Sequence, residues 1–191
     1  MGDIGTHAEN LVEYVTGLRI VQLCADLTTF VRGRRLDDDG NVLLRLQKGV
    51  GGVLHASQVS VGEDNALAIR LYGERKGLEW HQETPNVLQV KPAAGPLEVW
   101  RRGHPYVAER SAAAARASSL PAGHPEAFLD AFANVYRNVS DVIRARLART
   151  SPDPLMLDYP TVDDGLRGML FIDALLASAR SRAKWTRVPA R

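Results

Sequence analysis

Between residues 42 and 101 the chain repeats one pattern six times: a short run with strand character, then a turn with no room for a helix. The runs fall at 42–47, 52–61, 66–72, 77–82, 87–90 and 97–101. Gly62-Glu63-Asp64-Asn65, Arg75-Lys76-Gly77 and Thr84-Pro85-Asn86 supply turn chemistry between them. Parallel strands need crossovers of a dozen or more residues, so connections this short join antiparallel neighbours. This excludes a βαβ architecture for the centre of the chain and predicts an antiparallel meander.

The flanks read differently. Ile4, Leu11, Val12 and Val15 recur at helical spacing with Glu9, Asn10 and Glu13 between them, and Gly17 follows, so a helix is predicted over 4–16. A β-rich run covers 18–30. Residues 32–40 form a polar loop in which Asp37, Asp38 and Asp39 lack the spacing of a calcium loop and read as exposed. Beyond the meander, 111–119 reads as a weak helix or an ordered loop. Residues 125–149 form a strong amphipathic helix with Pro125 in its first turn and Phe128, Phe132, Val135, Tyr136, Val139 and Ile143 as its buried stripe. A last helix spans 162–183, with Leu166, Met169, Leu170, Leu175 and Leu176 on its apolar face. Strands in one block with helices before and after give an α+β domain: a predominantly antiparallel, open-faced sheet with helices packed on one face. The other face needs a partner, and a second copy of the chain is expected to supply it.

Composition narrows the class. The 191 residues carry 24 Lys+Arg against 22 Asp+Glu, a formal charge of +2, which argues against a nucleic-acid or membrane-surface partner. Apolar residues make up 45%, enough for a packed core. The single cysteine, Cys24, fits a reducing compartment, and the amino terminus lacks signal-peptide character, so a cytoplasmic protein is expected. No Gly-rich phosphate cradle lies between a strand and a helix, and no Cys/His set has metal spacing. Neither a cofactor-binding residue nor a metal ligand is therefore assigned in this chain.

The sharpest local feature is Asp3-Ile4-Gly5-Thr6-His7. Asp3 and His7 are four apart and share one face of a helix. An imidazole beside a carboxylate is suited to proton transfer. The same spacing also fits an N-cap aspartate followed by an ordinary helical histidine, and spacing alone leaves both readings open. Among the other histidines, His124 precedes a helix start, His55 sits in a strand, His81 reads as covering a sheet edge and His104 as a loop residue. Arg101 and Arg102 read as a solvated pair of charges.

Five segments carry a resemblance. Asp3-Ile4-Gly5-Thr6-His7-Ala8-Glu9-Asn10-Leu11 resembles the Asp-x-Gly-x-His stretch of the glucose–fructose oxidoreductase / myo-inositol dehydrogenase / MocA (Gfo/Idh/MocA) family. Residues 53–59, then Tyr72-Gly73-Glu74 with Gly77-Leu78-Glu79-Trp80, resemble a sugar-oxidising branch of it. So does Leu120-Pro121-Ala122-Gly123-His124-Pro125-Glu126, leading to Ala131-Phe132-Ala133-Asn134. Asp164-Gly165-Leu166-Arg167-Gly168 with Phe171-Ile172 is similar to the family's last helix.

The resemblance implies a two-domain NAD(P)-dependent oxidoreductase in which residues 1–191 correspond to the single C-terminal substrate-binding and oligomerisation domain. The N-terminal Rossmann domain, and the Glu-Lys-Pro motif with its catalytic lysine, have no counterpart here. NAD or NADP is implied for the full-length parent, and the chain alone is expected neither to bind it nor to turn over substrate. On this chain's residues the resemblance implies His7 as proton acceptor from a sugar, polyol or related alcohol and Asp3 as the group that orients it. Thr6, Asn10 and His124 are implied as substrate contacts. A second reading, from a different class, is a sheet-mediated assembly or binding module without redox chemistry.

Overall fold

The structure, a computed structural model, describes residues 1–190. They form two compact units, residues 1–64 with 160–190 and residues 65–159. The α+β order stands, and the strands divide into two four-stranded sheets, each wholly antiparallel.

The first unit contains α1 (Ile4–Thr16), β1 (Ile20–Thr28), β2 (Asp39–Leu46) and β3 (Gly51–Ser57). Its sheet has the order β3-β2-β1-β8, where β8 (Thr186–Arg187) is a short strand near the chain's end. In the second unit β4 (Ala68–Tyr72), β5 (Lys76–His81), β6 (Val87–Pro92) and β7 (Glu98–Arg101) pair in sequence order. The helices α2 (Pro105–Ala108), α3 (Ala112–Ala117) and α4 (Phe128–Leu147) follow. The last helix, α5 (Val162–Arg180), returns to the first unit.

The first sheet follows the two-residue alternation that a half-buried strand requires. Gly40, Val42, Leu44 and Leu46 of β2 face inward, as do Leu54 and Ala56 of β3. In β1 a bulge between Ile20 and Gln22 breaks the alternation, so Ile20 and Leu23, three residues apart, both reach the core. Phe171, fully buried, with Ala174 and Leu175 of α5, closes over these side chains, and Ile4, Ala8 and Val12 of α1 pack beside them. Gly17 ends α1 in the left-handed conformation (φ 65°) that glycine adopts without strain, and its N–H donates to the Glu13 carbonyl at 2.9 Å.

Four sequence expectations need correction. The Asp37–Asp39 stretch is not simply exposed. Asp38 is buried and accepts from the backbone N–H groups of Phe30 (2.8 Å) and Val31 (3.0 Å), which hold its carboxyl below the usual range.

The fourth helix begins at Phe128, leaving Pro125 ahead of it. Its predicted stripe is turned outward as well: Phe128, Phe132, Tyr136 and Ile143 are exposed, while Asn138 and Val142 are buried. Hydrogen bonding decides this orientation. Arg116 of α3 donates to Asn138 (2.9 Å) and Asp141 (2.8 Å), and Asn138 donates to the Asp158 carbonyl (2.9 Å).

Helix α5 buries Arg167, Phe171, Ala174, Leu175 and Ser178, whereas Leu166, Met169 and Leu176 are exposed. Contact with β1 selects the row that contains Phe171. Finally, Arg102 is not a solvated charge. It donates to Asn86 (2.8 Å), to the carbonyls of Leu120 (3.0 Å) and His124, and pairs with Glu126 at 3.1 Å.

Candidate functional site

The candidate site lies on α1. Asp3 is the residue before the helix, but its side chain makes no capping bond. Its carboxylate instead accepts a long hydrogen bond from Gln58 Nε2 at 3.4 Å, just beyond the end of β3. His7 is one turn further on, exposed, and no hydrogen bond claims its ring nitrogens among the described residues. Helical geometry brings Asp3 and His7 to one side of the first two turns, as the spacing implied.

Thr6 and Asn10 sit on an adjacent side. The Thr6 hydroxyl donates to the Asp3 carbonyl at 2.7 Å. Both residues line a groove of about 350 Å³ between α1 and α5, together with Gly2, Glu9, Asp164 and Met169.

His124 belongs to the second unit. Its side chain is exposed, and its carbonyl accepts from Arg102. The turn that carries it is fixed by Glu126, a buried carboxylate that accepts from the N–H groups of Ser119 (2.6 Å) and Leu120. His55 meets Asn41 across the β2–β3 pair, Nδ1 to Oδ1 at 2.9 Å, and His81 Nε2 lies 2.8 Å from Glu79.

Sequence reasoning missed the charged cluster beneath α1. Glu9 and Glu13 stand in the sequence simply as polar positions between the apolar ones of α1, yet both are buried, and both meet Arg167 of α5. Arg167 donates to Glu13 at 2.7 Å, to the Ile20 carbonyl at 2.5 Å and to the Pro189 carbonyl at 2.7 Å. Glu13 also accepts from Arg19 and from the Ile20 N–H, each at 2.7 Å. Burial works to raise the Glu13 carboxyl, but these donors outweigh it and hold it below the usual range.

Glu9 is treated differently. Its nearest cation is Arg167 Nε at 3.8 Å, beyond hydrogen-bond reach. Burial, with the Glu13 charge one turn away, pushes its carboxyl up to about 7 against the pull of Arg167 and Arg19. The available signal was positional: Gly5, Glu9 and Glu13 recur every four residues beside the apolar stripe.

No group of three or more His, Cys, Asp or Glu among the described residues is placed to hold a metal ion. No described helix is long and apolar enough to cross a membrane. The pyrophosphate of a dinucleotide fits a strand that runs through a Gly-rich loop into a helix beside a parallel sheet. Both sheets here are antiparallel, so the described residues do not fit such a group.

Residues 1–79 match the family model described as the GFO/IDH/MocA C-terminal domain. An uncharacterised oxidoreductase, YfiI, of Bacillus subtilis (strain 168) is 28% identical over 187 residues, which is 97% of this chain and 47% of that protein. The crystal structure of an oxidoreductase from Sinorhizobium meliloti is 44% identical with a TM-score of 0.88, covering 96% of this chain and 50% of that one. An inositol dehydrogenase homologue from Azotobacter vinelandii, solved with NADH and myo-inositol, is 28% identical with a TM-score of 0.81, over 97% of this chain and 48% of its own. The chain spans about half the length of these relatives.

Proposed function

From the premise that this chain is a Gfo/Idh/MocA C-terminal domain, we propose that it is the substrate-binding and proton-transfer half of an NAD(P)-dependent oxidoreductase acting on a sugar, polyol or related alcohol. The observation that carries the reading is the exposed His7 imidazole, with no hydrogen bond to its ring nitrogens among the described residues and on the same side of α1 as the Asp3 carboxylate. A buried structural histidine would have its nitrogens satisfied; this one is available to a ligand.

The nicotinamide, held by the other half of such a protein, supplies a hydride acceptor. This chain's residues handle the proton. His7 takes the hydroxyl proton of the substrate carbon being oxidised, and Asp3 orients the ring and stabilises the imidazolium that forms. Thr6 and Asn10, one side further round the helix, hold further hydroxyls, and His124 in its braced turn on the second unit is a substrate contact by the resemblance alone. A second copy of the chain across an open sheet face completes the assembly. Light scattering at tens of micromolar is expected to give at least twice the chain mass, and a monomer mass removes that part of the reading.

The test of the chemistry is His7→Ala in the form that carries the cofactor half. Turnover is expected to fall by about a hundredfold to ten-thousandfold, the range of a general base, with cofactor affinity nearly unchanged. Turnover equal to wild type ends the assignment and favours the assembly module.

A further inference from the structure

Helix α4 carries an apolar ridge that the described residues leave largely open. Phe128, Phe132, Tyr136, Val139, Ile143 and Leu147 follow one another in steps of 4, 4, 3, 4 and 4. Those steps keep all six within about 100° of the helix circumference. The buried side of the helix is a different one, marked by Asn138 and Val142. Except for Val139, every member of the ridge is more than half exposed, from 51% at Phe132 to 81% at Leu147. Together these five offer roughly 700 Å², above the roughly 300–600 Å² of the largest apolar patch on a typical monomer. Each partner in a standard interface contributes a similar area, roughly 800 Å².

The order of the residues says what fits the ridge. The steps read the same in both directions about the point between Arg137 and Asn138. A two-fold axis there sets Phe128 against Leu147, Phe132 against Ile143 and Tyr136 against Val139 of a second copy. Each contact is then made twice, the condition for an isologous interface. The Phe128 and Phe132 rings, 4.8 Å apart, form the ledge on which the aliphatic half of the second copy rests.

Charge selects the direction. Asp130 lies in the first turn of α4, and Arg144 and Arg146 lie in the last. With the copies antiparallel, Asp130 is level with Arg144 and Arg146 of the other helix, and the two helix dipoles oppose favourably. Parallel copies would put aspartate beside aspartate and arginine beside arginine. Arg146 is exposed and has no ion pair among the described residues, so its charge is available to a second copy.

We propose that the α4 ridge is a docking surface for a second copy of this chain, packed antiparallel about a two-fold axis at the middle of the helix. The contact is distinct from the open sheet faces, and it rests on neither them nor the redox reading.

The test uses the 191-residue chain itself. Sedimentation from about 1 to about 100 μM is expected to show mass rising with concentration. Phe132→Glu places one unpaired carboxylate per copy inside the contact and should raise the dissociation constant at least about a hundredfold. Its thermal unfolding should match wild type, because position 132 is exposed in the single chain.

Cross-linking then reads the register. In a Cys24→Ser background, Phe132→Cys and Ile143→Cys are oxidised separately and as a mixture. A disulfide-linked dimer is expected only in the mixture, since within either variant alone the two thiols lie about 17 Å apart along the helix. Absence of the mixed cross-link, or equal cross-linking of one variant alone, would overturn the proposal. So would a monomer across the whole range, which gives the ridge to a different partner. Self-association untouched by Phe132→Glu would overturn it too, while leaving the sheet-face contact and the oxidoreductase reading in place.

Discussion

Two sheets of four antiparallel strands lie in one chain, and they are finished differently. In the first, α5 and α1 cover the apolar face, and Ile20, Leu23, Val42, Leu44, Leu46 and Leu54 are all buried. In the second, Ile69, Trp80, Leu88 and Trp100 form one row across the four strands, with Leu71, Leu78 and Val90 in the next. Of those seven, only Val90 is buried; the others stay partly exposed. The opposite face of the second sheet is polar, with Glu79 shared by Arg70, Lys91 and His81, which draw its carboxyl down to about 2. Binary patterning therefore suffices to build a sheet, but sealing its apolar face requires a covering layer. The first unit brings that layer from a segment more than a hundred residues away.

The largest effect expected from this contrast is on core truncation. Phe171→Ala removes the centre of the covering layer and should cost about 3–5 kcal/mol, whereas Val90→Ala, among partly exposed neighbours that can relax, should cost about 1–2 kcal/mol. Urea unfolding of both variants measures the difference, and equal losses would mean that the second sheet is sealed as well as the first.

Next in size is the pH dependence of the first unit. The Glu9 carboxyl is raised by burial to about 7 from the usual 4.5, so between those pH values the folded chain holds a proton that the unfolded chain has released. Its stabilising contribution is complete below about pH 4.5 and is lost as pH rises to about 7. Glu9→Gln lacks this loss. Its stability relative to wild type should climb by about 2–3 kcal/mol from pH 4.5 to pH 8. Urea midpoints for both proteins across that range check the sign, and parallel curves would refute it.

The smallest effect belongs to the second sheet's polar face. Glu79→Gln should lower stability slightly at low salt, with the difference shrinking at about 0.5 M salt as exposed charges are screened. A loss that persists in high salt would show Glu79 to be structural in the way Glu13 is.

Legibility in the sequence followed the range of the interaction. The bounds of α1 could be read because Gly17 acts within one turn, and the strands because alternation and turn residues are local. The division into two sheets was not readable, since 58–61 read as the end of one strand and Gly62-Glu63-Asp64-Asn65 as an ordinary turn, whereas β3 ends at Ser57 and β4 begins at Ala68. The burial of Glu9 and Glu13 was not readable, because their partner Arg167 lies 154 residues beyond Glu13. In α4 the aromatic periodicity was real, but periodicity alone does not say which face turns inward, and Arg116 with Asn138 decided it. At the candidate site, the Asp3–His7 spacing was visible from the start. The groove between α1 and α5 was not, because half of it comes from α5.

The edge of the first sheet has a consequence for solution behaviour. The short strand β8 pairs with β1 only at Gln22 and Leu23. Further along that edge, the Ala25 N–H donates to the Ser178 hydroxyl of α5 at 3.0 Å, so a helix side chain satisfies what a ninth strand would otherwise claim. A free N–H row is a template on which a foreign strand can polymerise. With two strand residues and one serine, the chain satisfies donors of β1 that a neighbouring strand would otherwise take, and Ser178→Ala would leave the Ala25 N–H without its acceptor.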